Sequence, residues 1–262
     1  MQPHLLLIDA LNLIRRIFAA VRAPDDYSRV DGAIASSLSS LSRAARDCQP
    51  THTLVVFDGN PPTWRHELYP QYKEGRKPMP DALRQRLGDF NQAFLNNGFK
   101  SYRKAGLEAD DVIAAVANKA ASAGVQVTIL STDRVFFQLL GNPNITQRDH
   151  FQKLDFNHDT VVSQFSFEPE QLVDLWALSG VGDVPGVTGV GDKGASTLLK
   201  VHNTLSEILE LGDSASGAAK KVVEQKEMAL MSHKLARLAS ELELGLRLKD
   251  LRYEPATEAA GS

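Results

Sequence analysis

The chain has 262 residues, 43% of them hydrophobic and 23% charged, which supports one large or two modest soluble domains with a sizeable core. A net charge of −3 does not advertise a nucleic-acid binder, the single cysteine, Cys48, excludes an internal disulfide, and no apolar run nears the roughly 20 residues of a membrane span. Met1-Gln2-Pro3-His4 lacks a basic leader and runs into an apolar stretch too short for a signal sequence, so a cytoplasmic protein is expected.

His4 to Ile8 reads as a short buried strand ending at Asp9, followed by a helix over Leu11–Val21. Gly32–Arg46 is a second helical pattern, and His52–Phe57 a second strand, ending at Asp58-Gly59. Pro61, Pro62, Pro70, Pro78 and Pro80 leave no room for a long regular element, after which Asp81 can cap a helix from about Ala82 to Asn96. A helix from Glu108 to Ala123 stops at Gly124, Val125–Leu130 is a third strand closing at Ser131-Thr132-Asp133, and Ile145–Arg148 is a fourth. Phe136, Phe137, Phe151, Phe156, Phe165 and Phe167 are expected in the core. Further on, Leu172–Leu178 and a segment ending near Lys200 are helical around a Gly-rich connection. Residues 211–217 read as a loop, Lys220–Leu242 as one amphipathic helix, and 254–262 as a disordered tail.

Apolar strands alternating with helices imply βαβ units and a mostly parallel sheet, whose ligands bind beyond the carboxyl ends of the strands. Asp9, Asp58 and Asp133 each sit at such an end. The helix opening Glu108-Ala109-Asp110-Asp111 starts on the same edge, because a helix preceding a parallel strand runs back from it. One acid there is ordinary capping, and the stretch alone reads as a solvated acidic helix start. Six carboxylates on one edge cannot all stay ionised without cations, and hard oxygen donors without His or Cys favour Mg²⁺ or Mn²⁺ over zinc. An acidic metal site on an α/β sheet points to phosphoryl chemistry. No Asp-x-Asp and no Gly-rich loop follows the first strand, which sets aside phosphoaspartate phosphatases and P-loop or dinucleotide folds.

Between Trp64 and Lys104 there are nine basic side chains (Arg65, Lys73, Arg76, Lys77, Arg84, Arg86, Lys100, Arg103, Lys104) against four acidic ones, leaving +5 in a chain that is negative overall. Trp64, Tyr69 and Tyr72 are interleaved with them, the pattern by which cations track phosphates while aromatic faces stack on unpaired bases; the alternative is an ordinary packed loop. Gly189-Val190-Gly191-Asp192-Lys193-Gly194 places glycines at a helix start with no strand before it, a phosphate-binding arrangement distinct from a dinucleotide fingerprint.

Leu6-Leu7-Ile8-Asp9-Ala10-Leu11-Asn12, Val55-Val56-Phe57-Asp58-Gly59, Tyr69-Pro70-Gln71-Tyr72-Lys73-Glu74-Gly75-Arg76, Glu108-Ala109-Asp110-Asp111 and Ser131-Thr132-Asp133, in this order, resemble the motifs of the bacterial 5'-nucleases. These are the flap endonucleases, also found as a domain of DNA polymerase I, and the likeness is nearest to their stand-alone Xni-type branch. No polymerase domain follows here, so a stand-alone nuclease is expected. The resemblance implies an α/β PIN-like nuclease domain over 1–162 with a helical arch at about 61–90, and a helix-hairpin-helix region over 163–250. It implies Mg²⁺ or Mn²⁺ held or oriented, directly or through water, by Asp9, Asp58, Glu108, Asp110, Asp111 and Asp133, with Lys73 and Arg76 near the scissile phosphate and Asp110 the leading direct ligand. It implies a duplex-gripping hairpin at Gly189, Val190, Gly191, Asp192, Lys193 and Gly194, and a K⁺ held by carbonyls at Leu178, Ser179, Pro185, Val187 and Val190. The expected partner is DNA with a 5' flap or single-strand/duplex junction, bound by a monomer.

The chain departs from that pattern in two places. Two-metal members carry Asp-Lys-Asp where this chain has Asp133-Arg134-Val135, and their Gly-Asp-x-x-Asp run is shortened here to Ser179-Gly180-Val181-Gly182-Asp183. The first metal site is expected intact and the second depleted. That leaves a junction-binding protein without turnover as an alternative to a Mg²⁺-dependent flap endonuclease. A PIN-like ribonuclease is a third reading, which the hairpin disfavours.

Overall fold

Strands with apolar residues on both faces need cover on both sides, and that requirement shapes the fold. The computed structural model describes residues 2–255. Its sheet comprises β1 (His4–Asp9), β2 (His52–Val56), β3 (Ser101–Tyr102), β4 (Gln126–Leu130), β5 (Ile145–Asp149) and β6 (Leu154–Phe156), in the order β3-β2-β1-β4-β5-β6. All neighbours are parallel except β5 and β6.

Along β1, Leu5 and Leu7 point to one face and Leu6 and Ile8 to the other, and all four are fully buried. One face is covered by α1 (Ala10–Ala20), α2 (Asp26–Cys48) and, after α3 (Trp64–Leu68) and α4 (Asp81–Gln85), by α5 (Leu87–Asn96), through Leu13, Ile14, Leu41, Phe90 and Phe94. The other face is covered by α6 (Ala109–Ser122) through Val112, Ile113 and Val116. The same hydrophobic cluster continues past α7 (His158–Phe165) into α8 (Leu172–Ser179), α9 (Asp192–His202), α10 (Leu205–Glu210), α11 (Gly217–Glu224) and α12 (Lys226–Ala236). Trp176, Leu199 and Leu235 are among its members, and each such side chain contributes about 1.5–3 kcal/mol. The helical half and the sheet thus share one core, which fixes the hairpin of the former relative to the strand ends of the latter.

Several elements differ from the sequence-based expectation. The helix expected over 82–96 is two pieces, because Arg86 leaves helical geometry (φ −107°, ψ 16°). Asp81 lies inside the first turn of α4 and pairs with Arg84 instead of capping. The helix expected over 220–242 breaks at Gln225 and ends at Ala236. The chain beyond Ala236 turns extended because its backbone is claimed elsewhere: Leu238 N–H donates to Gln138 and Ala239 N–H to Asp111. α2 begins earlier than Gly32, since Asp25 caps it through the N–H groups of Tyr27 and Ser28. Phe151 is 41% exposed and Phe156 and Phe165 are half-buried, so three of the six phenylalanines expected in the core sit at its edge or outside it. Two short strands, β3 and β6, carry no periodic signal at their length. The tail expected from residue 254 lies outside the described residues except for Glu254 and Pro255, whose backbone lies against Gly98.

Candidate active site

The carboxyl edge of the sheet gathers the acids. Asp9 closes β1, buried, with Oδ1 accepting the Asn12 N–H (3.1 Å) and Oδ2 the Ser131 hydroxyl (3.1 Å). Asp58 lies two residues beyond β2 and accepts the N–H of Ala109, the first residue of α6 (3.2 Å). The loop carrying Asp58 can reach α6 because Gly59 donates its N–H to the Leu107 carbonyl (2.8 Å) at a point where a Cβ would run into the Lys104 carbonyl. Asp133, beyond β4, is exposed, and its Oδ1 accepts the Val135 N–H (3.0 Å). Asp110 projects from the first turn of α6. Asp9, Asp58, Asp110, Asp133, Glu108, Lys73 and Arg76 line one cleft of about 480 Å³.

Mutual repulsion shows in the acidities. Burial, then the charge of Asp58, pushes the Asp9 carboxyl up to about 7 against the hydrogen bonds from Asn12 and Ser131. Asp110 is pushed well above the carboxylate range by burial and then by Asp9, Asp133 and Asp58, with Lys73 opposing. Among the described residues no hydrogen-bond donor reaches Asp110, and no three acidic, His or Cys side chains converge closely enough to close on an ion as they stand. The four aspartates ring the cleft. Two acids whose ionisation is opposed by burial and by their neighbours, one of them without a donor, have the chemistry of a site for a hard divalent cation, which would neutralise the repulsion and complete the coordination of Asp110.

Two acids of the expected metal set do other work. Asp111 is fully buried, and its oxygens are taken by Arg65 Nη1 (2.7 Å) and Nη2 (2.9 Å), the Trp64 indole N–H (2.8 Å) and the Ala239 N–H (2.9 Å). It lies outside the cleft and has no oxygen left for an ion, which corrects the expectation for this residue. Glu108 does line the cleft, but it accepts from Thr63 (3.0 Å), Arg65 (3.1 Å) and Tyr72 (3.2 Å) and pairs with Lys73 Nζ (3.2 Å). Burial raises its pKa, and Lys73 and Arg65 outweigh that, so it stays ionised as an anchor for Lys73. Arg65, counted by sequence among surface cations, is 3% exposed; its remaining donors go to the Leu235 and Arg237 carbonyls. Trp64 and Tyr72 are half-buried and hydrogen-bonded, as members of the wall. Arg76 is exposed and pairs with Asp183 through Nη2 (2.6 Å) and Nε (2.7 Å), joining the segment after α3 to the loop before the hairpin.

The hairpin is built by close backbone contact. The Val187 N–H donates to the Leu178 carbonyl (2.8 Å) and the Val190 N–H to the Val187 carbonyl (3.0 Å). Gly186, at φ +69°, lies where a Cβ would strike the Gly180 backbone. Of the five carbonyl positions expected around K⁺, those of Leu178 and Val187 thus each already accept one N–H. Gly191 opens α9, with Gly189, Gly191, Asp192 and Lys193 exposed, Gly194 half-buried and the Val190 side chain turned into the core. Two supports were not legible in the sequence. The Gln225 side chain grips both the N–H (3.0 Å) and the carbonyl (3.1 Å) of Thr188, and Lys221 Nζ donates to the Gly189 carbonyl (3.1 Å).

The sequence matches the family described as "5'-3' exonuclease, N-terminal resolvase-like domain" over residues 4–166, and "5'-3' exonuclease, C-terminal SAM fold" over 167–259. The chain belongs to the 5'-3' exonuclease family. Among its curated relatives, the flap endonuclease Xni of Aeromonas hydrophila is 40% identical, with 98% of each chain covered, and that of Pectobacterium atrosepticum is 42% identical over 96% of this chain and 95% of the relative. Among solved structures, bacteriophage T5 5'-exonuclease with zinc bound superposes with a TM-score of 0.77 at 20% identity, covering 90% of each chain. The catalytic core of Rad2 in complex with DNA substrate gives 0.59 at 16% identity, covering 90% of this chain and 78% of that one. At those identities the two structures establish the fold, a resolvase-like α/β domain followed by a SAM-like helical domain.

In this member of the 5'-3' exonuclease family, sequence reasoning also missed neutral residues that orient the acids. Asn12 bridges the Thr132 N–H and hydroxyl (both 3.1 Å), and Ser131 bridges Asp9 and the Asp133 N–H (3.1 Å). Both stand inside the motifs that carried the resemblance, so motif membership was the available signal. Gln225 and Thr63 had none.

Proposed function

We infer that this chain is a divalent-metal-dependent 5' flap endonuclease that hydrolyses phosphodiester bonds at single-strand/duplex DNA junctions. The observation that carries the metal-dependent step is the gathering of Asp9, Asp58, Asp110 and Asp133 in one cleft beside Lys73, where burial and then like charge raise the Asp9 and Asp110 carboxyls. The curated relatives are named flap endonucleases, the T5 enzyme was crystallised with metal ions and DNA, and the Rad2 core with DNA substrate.

In this reading Asp9, Asp58, Asp110 and Asp133 hold Mg²⁺, or Mn²⁺, and Glu108 holds Lys73. The bound ion supplies Lewis-acid polarisation of the phosphate and a more acidic water. Asn12 and Ser131 keep the Asp9 carboxylate turned to the cleft. Lys73, freed from Glu108 by a stronger anion, and Arg76, exchanging Asp183 for phosphate, stabilise charge on the phosphoryl group. Residues 61–90 admit the unpaired 5' strand. The start of α9, with Gly189, Gly191 and Lys193, holds duplex backbone without reading sequence, and Leu178, Ser179, Pro185, Val187 and Val190 place carbonyls for a K⁺ there. Residues 1–162 are the nuclease unit and 163–250 the duplex-holding unit, at work in the cytoplasm as a monomer. No described helix is long and apolar enough to cross a membrane.

A second reading, a junction binder without turnover, draws on Val135, an apolar side chain where two-metal members carry a ligand, and on the engagement of Asp183 by Arg76. A labelled 5'-flap substrate in Mg²⁺ separates the two. Wild type cleaves and Asp110→Asn does not, while both bind the substrate in Ca²⁺. Equal background cleavage by the two proteins, with binding retained, favours the second reading. For the hairpin ion, duplex affinity at matched ionic strength is expected to be higher in K⁺ than in Na⁺; equal affinities overturn that assignment.

A further inference from the structure

β5 is parallel to β4, so its carboxyl end lies on the edge that carries the aspartates. The turn that follows, residues 150–153, is held on several sides. Asp149, 7% exposed, accepts the N–H groups of Phe151 (3.0 Å) and Gln152 (3.1 Å), and the His150 ring is tied through Nε2 to Ser40 Oγ of α2 (2.6 Å). Burial pushes His150 down to about 4, so the ring is neutral, and it lies tilted against Phe151 at 4.2 Å between centroids.

This fixed turn presents a phenylalanine to solvent. An isolated exposed apolar side chain needs no explanation. Three things set Phe151 apart. Its backbone is locked, so the ring is not displayed on a loose loop. The guanidinium of Arg16 lies over its face, 5.9 Å from the centroid. Arg15 and Arg16 also line the acidic cleft, so the cation over the ring belongs to the rim of the site and Phe151 stands just outside it. Core packing does not require Phe151, and neither the proposed metal site nor the hairpin uses it.

We propose that Phe151 and Arg16 form a stacking platform for an unpaired DNA base at the rim of the acidic cleft. The nucleobase takes the place of the Arg16 guanidinium over the flat apolar ring, and that guanidinium turns aside to the phosphate of the same nucleotide; neither contact discriminates sequence. A protein that acts where duplex ends and single strand begins must hold a base that has lost its pairing partner, and a rigid aromatic does so at low entropic cost. The platform rests on the flap-endonuclease reading.

The test uses full-length protein with Ca²⁺ in place of Mg²⁺ and two DNAs of equal length, one with a 5' flap and one a blunt duplex, with 2-aminopurine scanned through the unpaired positions and the junction. Phe151→Ala is expected to weaken flap binding by roughly 5- to 150-fold, to leave blunt-duplex binding unchanged and to abolish quenching at one scanned position; Phe151→Trp is expected to restore both. Unchanged flap affinity in Phe151→Ala, or equal losses on both DNAs, overturns the platform. Because these readouts need no turnover, they stand apart from the wild-type flap-cleavage assay in Mg²⁺, whose failure would instead sink the nuclease reading.

Discussion

Arg65 holds two carboxylates in a place with almost no water. Its guanidinium meets Asp111 with two nitrogens and Glu108 with one, and none of the three side chains is more than 3% exposed. Removing one partner from such a group strands charge in a low-dielectric interior, at about 3–5 kcal/mol. Arg65→Met keeps the volume and removes the charge, so urea unfolding is expected to show that loss. Asp111→Asn is expected to be milder, because an amide oxygen still accepts from Arg65 and Trp64. A variant ranking with Asp111→Asn the more damaging would assign Asp111 a role beyond this pair. The residue scale is also where sequence reading failed most clearly: a run of three acids in four positions does not say which side chains face the cleft. Asp110 does, while Asp111, one residue on, points about 100° away around α6 and belongs to the core.

At the scale of elements, more was legible. Three apolar runs located β1, β2 and β4, the acids at their ends predicted the site edge, and the short Ile145–Arg148 stretch located β5. The failures have physical causes. β3 has two residues, too few for a period to register. The long amphipathic pattern after Lys220 is interrupted at Gln225, whose side chain is committed to Thr188, and sequence periodicity does not see such a tertiary claim. The hairpin gives a paired prediction. Gly186→Ala places a methyl group against the Gly180 backbone at a positive φ, at a cost of more than about 1 kcal/mol, and is expected to weaken blunt-duplex binding. At Gly88, inside α5 with open space around a Cβ, alanine is expected to bind duplex as wild type does. Gel-shift titrations of both variants decide it; equal binding by the two would show that hairpin geometry does not govern duplex contact.

For the whole molecule, the acidic cleft ties stability to pH and to metal. Asp9 is raised from 3.8 to about 7, and Asp110 is raised as well. The folded state therefore keeps protons that the unfolded chain releases. The stabilising contribution is fully present below the unfolded value near 4 and is lost as pH rises through the folded values. Metal-free protein is expected to show a falling thermal midpoint from about pH 4 to pH 8 from these groups, and Asp110→Asn to flatten that fall. Mg²⁺ at 100 times its dissociation constant is expected to restore about 2.7 kcal/mol at pH 8, since it binds the folded state alone. Calorimetric scans with EDTA and with Mg²⁺ test this; a metal-free midpoint that rises across that window contradicts the repulsion described for the cleft.

The buried arginine also bears on how such a chain can change over generations. Arg65 is fastened to α6 and, through the carbonyls of Leu235 and Arg237, to the end of α12. Any lineage that loses Arg65 or Asp111 singly passes through a form with an orphan charge, and a lineage that exchanges the pair for apolar residues must reshape the end of α12 in the same step. Surface cations between α3 and α5 can be traded one at a time, but this trio is inherited or abandoned together. Its joint retention in a distant relative would mark the same linkage between α3, α6 and the segment after α12 even where the acids of the cleft have drifted.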